Sequence, residues 1–222
     1  MNLFLKGVAQ AITETFHLPT PILEVGSYQV PGQEQLADLR SFFPNQPYTG
    51  IDIREGPGVD QVASVEALPF SDNTFGTVIA MSTFEHVRKF WLGFAEVNRV
   101  LKPEGVLIVS CPFNVRIHNH PNDYWRFTPE ALDVLLEDYP QKIVGWHGPE
   151  EKPENVWAIA FGAAHAEISD DQYVQYRELV SRYARQPLPW RRKLRYRLIN
   201  MVDRKRICSA YLEAENWQSA KK

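Results

Sequence analysis

A glycine and an aspartate at the ends of two short apolar stretches have the spacing of a nucleoside-binding unit. Gly26 follows Ile22–Val25, and Asp52 lies near the end of Tyr48–Ile53, 26 residues after the glycine. Glycine permits a tight turn and a close approach of the backbone to a ligand. A carboxylate at this place can accept hydrogen bonds from ribose hydroxyls. The alternative is that Gly26 only links a strand to a helix and that Asp52 is a solvated acid at a strand end.

A second group of reactive side chains lies in the segment 111–127, CPFNVRIHNHPNDYWRF. His118 and His120 could act as general bases towards a hydroxyl or an amine, since imidazole is the side chain suited to proton transfer at working pH, with Asp123 orienting one of them. The three aromatic rings and the arginine of Tyr124–Phe127 could line an acceptor pocket, or they could form a packed, salt-bridged loop. The two histidines also have the spacing of a metal-ligand pair. No third ligand has a known spacing, so no metal is predicted.

Apolar runs and helical patterns alternate along the chain and would place both groups at one edge of a sheet. Strands are indicated at Ile22–Val25, Tyr48–Ile53, Asp60–Ala63, Thr77–Met81, Val106–Val109, Ile143–Trp146 and Val156–Phe161. Helices are indicated over Gly32–Phe43, over Phe84–Leu101 with Trp91 on the apolar face, and after Thr128 and Pro129. This order predicts an α/β, three-layer Rossmann-like sandwich with a mostly parallel seven-stranded sheet and an antiparallel edge.

Length and composition favour one compact domain with an extension. The chain has 222 residues and 44% hydrophobic residues, which is enough for one substantial core. We predict a domain over residues 1–165, including an N-terminal covering helix, and a helical basic extension over residues 166–222. Cys111 and Cys208 have no paired spacing, and the N-terminal segment lacks the pattern of a signal or a membrane span. A cytoplasmic location is therefore expected.

The C-terminal part of the chain carries a concentrated positive charge. Residues 182–206 contain ten Lys and Arg against one Asp, whereas the rest of the chain is acidic. From Trp190 onward the apolar residues fall on one helical face. Such a helix could lie on the inner face of a membrane as a peripheral anchor, bind an acidic partner, or pack on the acidic domain. Nucleic acid is not an expected partner, since no recognised binding module accompanies the charge.

Five motifs, in this order, resemble those of the class I methyltransferases that use S-adenosylmethionine, in particular a widespread type 11-like subgroup. They are an E-x-G-S turn at 24–27, a Y-x-G-I-D-I-R-x-G-P-G-V-D stretch at 48–60, A-L-P-F at 67–70, E-H-V at 85–87 and D-Y-W-R-F-T-P at 123–129. The resemblance implies a methyltransferase with S-adenosylmethionine as cofactor, acting on a small-molecule, glycan or lipid-linked acceptor. The alternative is a non-catalytic relative that keeps the sheet as a binding or scaffolding module.

The resemblance also implies roles for individual residues around the cofactor. Glu24 would bind the ammonium group, Gly26 and Ser27 the methionyl end, and Asp52 and Ile53 the ribose and its adenine flank. The loop Glu66, Ala67 and Leu68 would border the adenine, and Met81 and Ser82 would lie beneath the methionine moiety. His86 is expected to be structural, although the family places its segment close to the cofactor.

Overall fold

The computed structural model describes residues 1–118, 121–184, 190, 191, 194, 198 and 217–222. In these residues an eight-stranded sheet is flanked by helices on both faces. The strands are β1 (Ile22–Val25), β2 (Tyr48–Asp52), β3 (Gln61–Val62), β4 (Phe75–Met81), β5 (Leu101–Pro112), β6 (Gln141–His147), β7 (Asn155–Phe161) and β8 (Trp217–Lys221). The α-helices are α1 (Leu3–Thr15), α2 (Glu34–Ala37), α3 (Phe90–Val100), α4 (Pro129–Leu135) and α5 (Asp170–Tyr183).

The sheet has the strand order β3-β2-β1-β4-β5-β7-β6-β8. The first five strands in this order are parallel, and β7, β6 and β8 pair antiparallel. The predicted α/β class with an antiparallel edge is confirmed. Seven strands were predicted, and the eighth is β8 at the end of the chain. Because parallel strands share a direction, the carboxyl ends of β1, β2, β4 and β5 lie along one edge of the sheet, where loops can surround a ligand.

Alternate residues of the central strands pack into two separate cores, one on each face of the sheet. Leu23 and Val25 of β1 pack with Phe84 and with α3, whereas Ile22 packs with α1 and α5 on the other face. Helix α1 is capped by Asn2, whose Oδ1 accepts the Leu5 N–H at 2.9 Å. Its buried stripe confirms the predicted N-terminal covering helix. Burial on both faces explains why the central strands are nearly continuous apolar runs.

The predicted helix Gly32–Phe43 is replaced by two short pieces, α2 and a 3-10 turn at Arg40–Phe42. The chain leaves the helical conformation at Asp38, which has φ −71° and ψ 102°, and its Oδ1 accepts the Ser41 N–H at 3.3 Å. Aspartate competes with helical hydrogen bonding in this way. The apolar pattern still selects buried side chains, since Leu39 and Phe43 are both buried.

The predicted helix Phe84–Leu101 is also shorter than expected. A 3-10 turn at Phe84–His86 precedes α3, and the two are separated at Val87, which is extended with φ −90° and ψ 115°. Trp91 was expected on the buried face but is 51% exposed, because the core side of α3 is formed by Gly93, Phe94, Val97 and Val100. The break leaves the 3-10 turn beside the end of β4.

The predicted start of α4 is confirmed, since Pro129 is its first residue and the Thr128 hydroxyl accepts the Ala131 N–H at 3.1 Å. Past residue 165, α5 packs against α1 and β8 pairs with β6. The predicted extension 166–222 is therefore not helical throughout, because its last residues form the edge strand β8, which hydrogen-bonds to β6. The boundary at residue 165 stays a prediction.

The basic helix predicted from Trp190 onward falls mainly outside the described residues. Trp190, Arg191, Leu194 and Leu198 are helical and exposed. The predicted membrane or acidic partner of this segment stays a prediction. In the described part of the chain, no helix is both long and apolar enough to span a bilayer.

Candidate functional site

A cavity of about 540 Å³ opens at the carboxyl edge of the parallel strands. This volume falls in the range of small-molecule and cofactor pockets. Predicted site residues on its wall come from all the segments that end there: Glu24, Gly26, Asp52, Ile53, Glu66, Met81, Ser82 and His118. The structure therefore brings together residues that are widely separated in the sequence.

The turn after β1 requires a glycine for two reasons. Gly26 has φ +81°, and a Cβ atom there would overlap the Thr83 side chain, with Cγ2 at 2.8 Å. Thr83 is held in this position by donating from Oγ1 to the carbonyl of Val25 at 3.0 Å. The absent side chain lets the backbone of the turn form part of the cavity wall. This is the feature that the methionyl end of the cofactor would need.

Ser27 does not lie on the cavity wall, contrary to what the family resemblance implied. Its N–H donates to the carbonyl of Ile51 at 3.0 Å, and its side chain is buried beside Gly50. Both the amide and the hydroxyl therefore point away from a ligand in the cavity. The reversal of direction at Gly26 sends the following side chain to the inside of the sheet.

Asp52 lies at the end of β2 and its carboxylate is largely shielded, with 10% of the side chain exposed. Oδ1 accepts the backbone N–H of Arg54 at 3.0 Å and contacts Arg54 Nε at 3.3 Å. The guanidinium of Arg54 in turn lies over the ring of Tyr28, 4.2 Å from its centre. These contacts fix the carboxylate at the cavity rather than in bulk water, which is the orientation that a ribose diol requires.

Glu24 is a buried acid on the same wall. Its side chain is buried, and the Tyr48 hydroxyl donates to Oε2 at 2.7 Å. Burial raises the pKa of Glu24 to about 7, although the Tyr48 hydrogen bond opposes the shift. A cation entering the cavity would stabilise the charged form of this carboxylate. Glu24 therefore suits the ammonium group assigned to it.

The predicted adenine loop contributes one of its three residues to the cavity. Glu66 lines the wall, and its Oε1 accepts the Lys89 N–H at 2.9 Å. Ala67 is exposed at the surface and Leu68 is buried in the core, so neither side chain lines the cavity. Ser64 and Val65, which sequence analysis did not assign, lie on the wall instead. Successive side chains of a turn point in different directions, and the sequence motif does not show which of them will face the cavity.

Met81 and Ser82 at the end of β4 both lie on the cavity wall, and their predicted place beneath the methionine moiety stays a prediction. Ser82 adopts φ +54°, and its N–H donates to the carbonyl of Ser110 at 2.9 Å. This left-handed residue turns the chain sharply out of the strand. The 3-10 turn that carries Glu85 and His86 follows directly.

His118 lies on the part of the cavity wall formed by the loops after β4 and β5, which we call the acceptor side, and Asp123 contacts it. Asp123 Oδ2 lies 2.8 Å from the His118 N–H and 3.0 Å from its Nδ1. Both Asp123 oxygens also contact the Arg126 guanidinium, which holds the pKa of Asp123 well below its usual range. Asp123 therefore contacts His118, the histidine that it was predicted to orient, and at the same time forms the salt bridge of the loop with Arg126. His120 lies outside the described residues.

The aromatic side chains of this loop divide between the cavity and the core. Tyr124 lines the cavity, whereas Phe127 is buried. Trp125 donates its indole N–H to the carbonyl of Val87 at 3.0 Å, which ties the loop to the segment after β4. The expected three-ring acceptor pocket is therefore reduced to one ring.

Glu85 and His86 also line the cavity, although sequence analysis gave neither a chemical role there. Glu85 is fully buried, and its carboxylate has no hydrogen-bond partner among the described residues. Burial raises the pKa of Glu85 to about 8. His86 Nδ1 contacts the carbonyl of Asn122, and His86 Nε2 lies 3.7 Å from Glu85 Oε1. One feature of the sequence could have identified both residues: an acid followed by a histidine in the loop after a strand that ends at the cavity.

Comparison with known proteins gives a family match over part of the chain. A family model described as a methyltransferase domain matches residues 28–109, from the turn after β1 into β5. YafE of Escherichia coli (strain K12), an uncharacterised protein, is 44% identical over 68 residues, or 30% of this chain. The match spans 31% of the length of YafE.

Solved structures share the fold at low sequence identity. A methyltransferase of Thermotoga maritima, described as a possible histamine N-methyltransferase, is 18% identical with a TM-score of 0.52, covering 72% of this chain and 89% of that one. The 1,6-didemethyltoxoflavin-N1-methyltransferase of Burkholderia thailandensis, solved with S-adenosylhomocysteine, is 16% identical with a TM-score of 0.52, covering 72% and 78%. The family match over residues 28–109 agrees with the resemblance to the class I methyltransferases that use S-adenosylmethionine, and the solved structures show that the chain shares their fold.

Proposed function

We propose that this protein transfers a methyl group from S-adenosylmethionine to a small-molecule, glycan or lipid-linked acceptor. The observation that carries the proposal is the convergence of Gly26, Asp52 and Glu24 on one cavity. They supply an open backbone turn, a shielded carboxylate and a buried acid, which match the methionyl end, the ribose and the ammonium group.

The residues present fit the cofactor on structural grounds. Gly26 lies on the cavity wall, and a Cβ atom there would collide with the Thr83 side chain, so glycine keeps this turn of the wall in place. Glu24 is a buried carboxylate whose pKa is raised chiefly by burial, although Tyr48 donates a hydrogen bond to it. Both features are costly to keep without a ligand, and a zwitterionic amino-acid group would use both.

Catalysis by this chain would come mainly from alignment. The bound cofactor supplies an electrophilic methyl group on a sulfonium. Gly26, Glu24 and Asp52 would fix its position, and the loop after β5 would place the acceptor in line with the methyl, which is the entropic part of rate enhancement. If the attacking atom carries a proton, His118 is placed to take it while Asp123 holds the imidazole.

The acceptor side of the cavity supports a polar acceptor. His118, His86 and Glu85 lie on its wall with Tyr124. These groups suit hydroxyl, amine or sugar-like acceptors, which need hydrogen-bonding partners when they leave water. The family match over residues 28–109 does not by itself select among these acceptors.

A calorimetric titration tests the cofactor half-site. Wild-type protein should bind S-adenosylmethionine and S-adenosylhomocysteine, and Asp52→Ala should lower the affinity at least about tenfold, because a charged hydrogen-bond acceptor contributes roughly 1.5–3 kcal/mol. Asp72→Ala, an exposed acid paired with Arg99, is the matched control. Unchanged affinity in Asp52→Ala would reject the half-site. Binding without turnover on any polar acceptor would instead favour the scaffolding alternative.

A further inference from the structure

We propose that Glu85, His86 and His118 form a binding site for a divalent transition-metal cation on the wall of the cavity. Each offers a ligand atom within 4.8 Å of the other two. The imidazole rings of His86 and His118 are 5.0 Å apart and nearly perpendicular. Two imidazoles and one carboxylate are the ligand set used by zinc and by non-haem iron sites that keep open positions. The inference goes beyond methyl transfer and does not depend on it, and a cation on His118 would occupy the lone pair that a general base needs.

The carboxylate of Glu85 is the strongest indication of a missing counter-charge. The residue is fully buried, and neither oxygen has a hydrogen-bond partner in the described part of the chain. A buried carboxylate in this state is costly unless a charge pairs with it. The α-amino group of Met1 and the guanidinium of Arg126 act on Glu85 electrostatically, but neither makes a hydrogen bond to it. A cation held between Glu85 and the two imidazoles would supply that charge.

Both histidines are oriented as metal ligands usually are. His86 Nδ1 contacts the carbonyl oxygen of Asn122, and His118 Nδ1 lies 3.0 Å from Asp123 Oδ2 and 3.3 Å from the Arg116 carbonyl. These partners accept hydrogen bonds, so a proton on Nδ1 of each ring would serve them and leave Nε2 as the atom that coordinates a cation. A metal-binding histidine typically donates its other N–H to a carbonyl or carboxylate in this way.

The fold explains why these residues meet. Glu85 and His86 follow β4, His118 follows β5, and the two strands are parallel neighbours with Met81 opposite Ser110. Their loops therefore leave the sheet at the same edge. All three residues line the cavity, so the remaining coordination positions are accessible to water or to an oxygen atom of a bound molecule.

Titration of the full-length protein with Co²⁺, followed by its visible absorption, tests the site, and competition with Zn²⁺ measures affinity by calorimetry. We expect one equivalent to bind. Glu85→Gln and His86→Gln should each weaken binding about tenfold or more, and His17→Gln, an exposed histidine outside the cavity wall, should bind as wild type does. No cofactor or acceptor is added, so the result is independent of the proposed methyl transfer.

Several results would overturn the inference. Wild-type protein that takes up no Co²⁺ would show that the Met1 amino group or a proton is sufficient for Glu85. Unchanged binding in both Glu85→Gln and His86→Gln, with loss in His120→Gln, would place the metal on a different histidine. Circular dichroism identifies any variant that does not fold. If Glu85→Gln is such a variant, the result for His86→Gln decides.

Discussion

The cofactor side and the acceptor side of the cavity are built in different ways. The first depends on backbone geometry near the ends of β1 and β2, where Gly26 has a positive φ and Asp52 is held by the nearby Arg54. The second depends on side chains from segments far apart in the chain, such as His86 with Asn122 and Trp125 with Val87. The first depends on backbone geometry over short stretches, and the second depends on contacts between loops that are distant in the sequence.

The largest effect that this comparison predicts is at the glycine turn. Gly26→Ala should abolish cofactor binding and destabilise the fold by about 3 kcal/mol, since a left-handed conformation costs about 1–2 kcal/mol and overpacking about 1–3 kcal/mol. Gly32→Ala is the matched control, because Gly32 has the same φ of +81° but nothing lies within 4 Å of its added Cβ. Gly32→Ala should lose only the stability that the left-handed conformation costs, about 1–2 kcal/mol. Urea denaturation and calorimetry measure both effects, and equal losses in the two variants would contradict the packing argument.

The second prediction concerns pH and the buried acid of the cofactor side. The pKa of Glu24 is raised to about 7 in the folded protein, above its unfolded value near 4.5. Folded Glu24 therefore keeps its proton while the unfolded state releases it, so the contribution of Glu24 to stability should fall as pH rises from about 4.5 to 7 and then level off. Glu85, whose pKa is raised to about 8, adds a slope of the same sign. The loss from Glu24 should be at most about 3 kcal/mol.

Urea denaturation of Glu24→Gln across this pH range checks the assignment, because the variant should lack the Glu24 part of the slope. Glu34→Gln is the control: the N–H of Gly32 lowers the pKa of Glu34, so any slope it removes has the opposite sign. Saturating S-adenosylmethionine should flatten the wild-type slope, since its ammonium group favours the charged carboxylate. A slope that is the same in Glu24→Gln and in wild type would show that another group titrates.

The smallest effect is expected on the acceptor side. Asp123→Asn should cost about 2 kcal/mol of stability, the typical value for hydrogen bonds to charged groups, because Asp123 is 1% exposed and paired with Arg126. Turnover should fall while cofactor affinity stays within about twofold of wild type, if the two sides are as separate as the structure indicates. Asp72→Asn, which alters an exposed pair with Arg99, should change neither quantity. A parallel loss of cofactor affinity in Asp123→Asn would mean that the two sides are coupled.

The sequence alone predicted the elements whose signal is local. Apolar runs correctly indicated β1, β4, β5 and the antiparallel pair β6 and β7, and Thr128 with Pro129 correctly indicated the start of α4. The predicted lengths of the helices 32–43 and 84–101 were less accurate. The chain leaves the helical conformation at Asp38 and at Val87, although the apolar spacing continues past both residues. The strand β8 was not predicted, since Trp217–Lys221 is polar apart from its tryptophan and alanine and is an edge strand.

Residues 24–60 by themselves determined that the chain has a glycine turn and a strand-end acid in the spacing of a nucleoside site. Those features depend on backbone geometry over short stretches, which residue types specify directly. The tertiary structure decided which side chains face the cavity, turning Ser27 and Leu68 inward, and it brought Glu85 and His86 next to His118. The physical reason is that neighbouring parallel strands join loops distant in sequence, and no local pattern records which loops will meet.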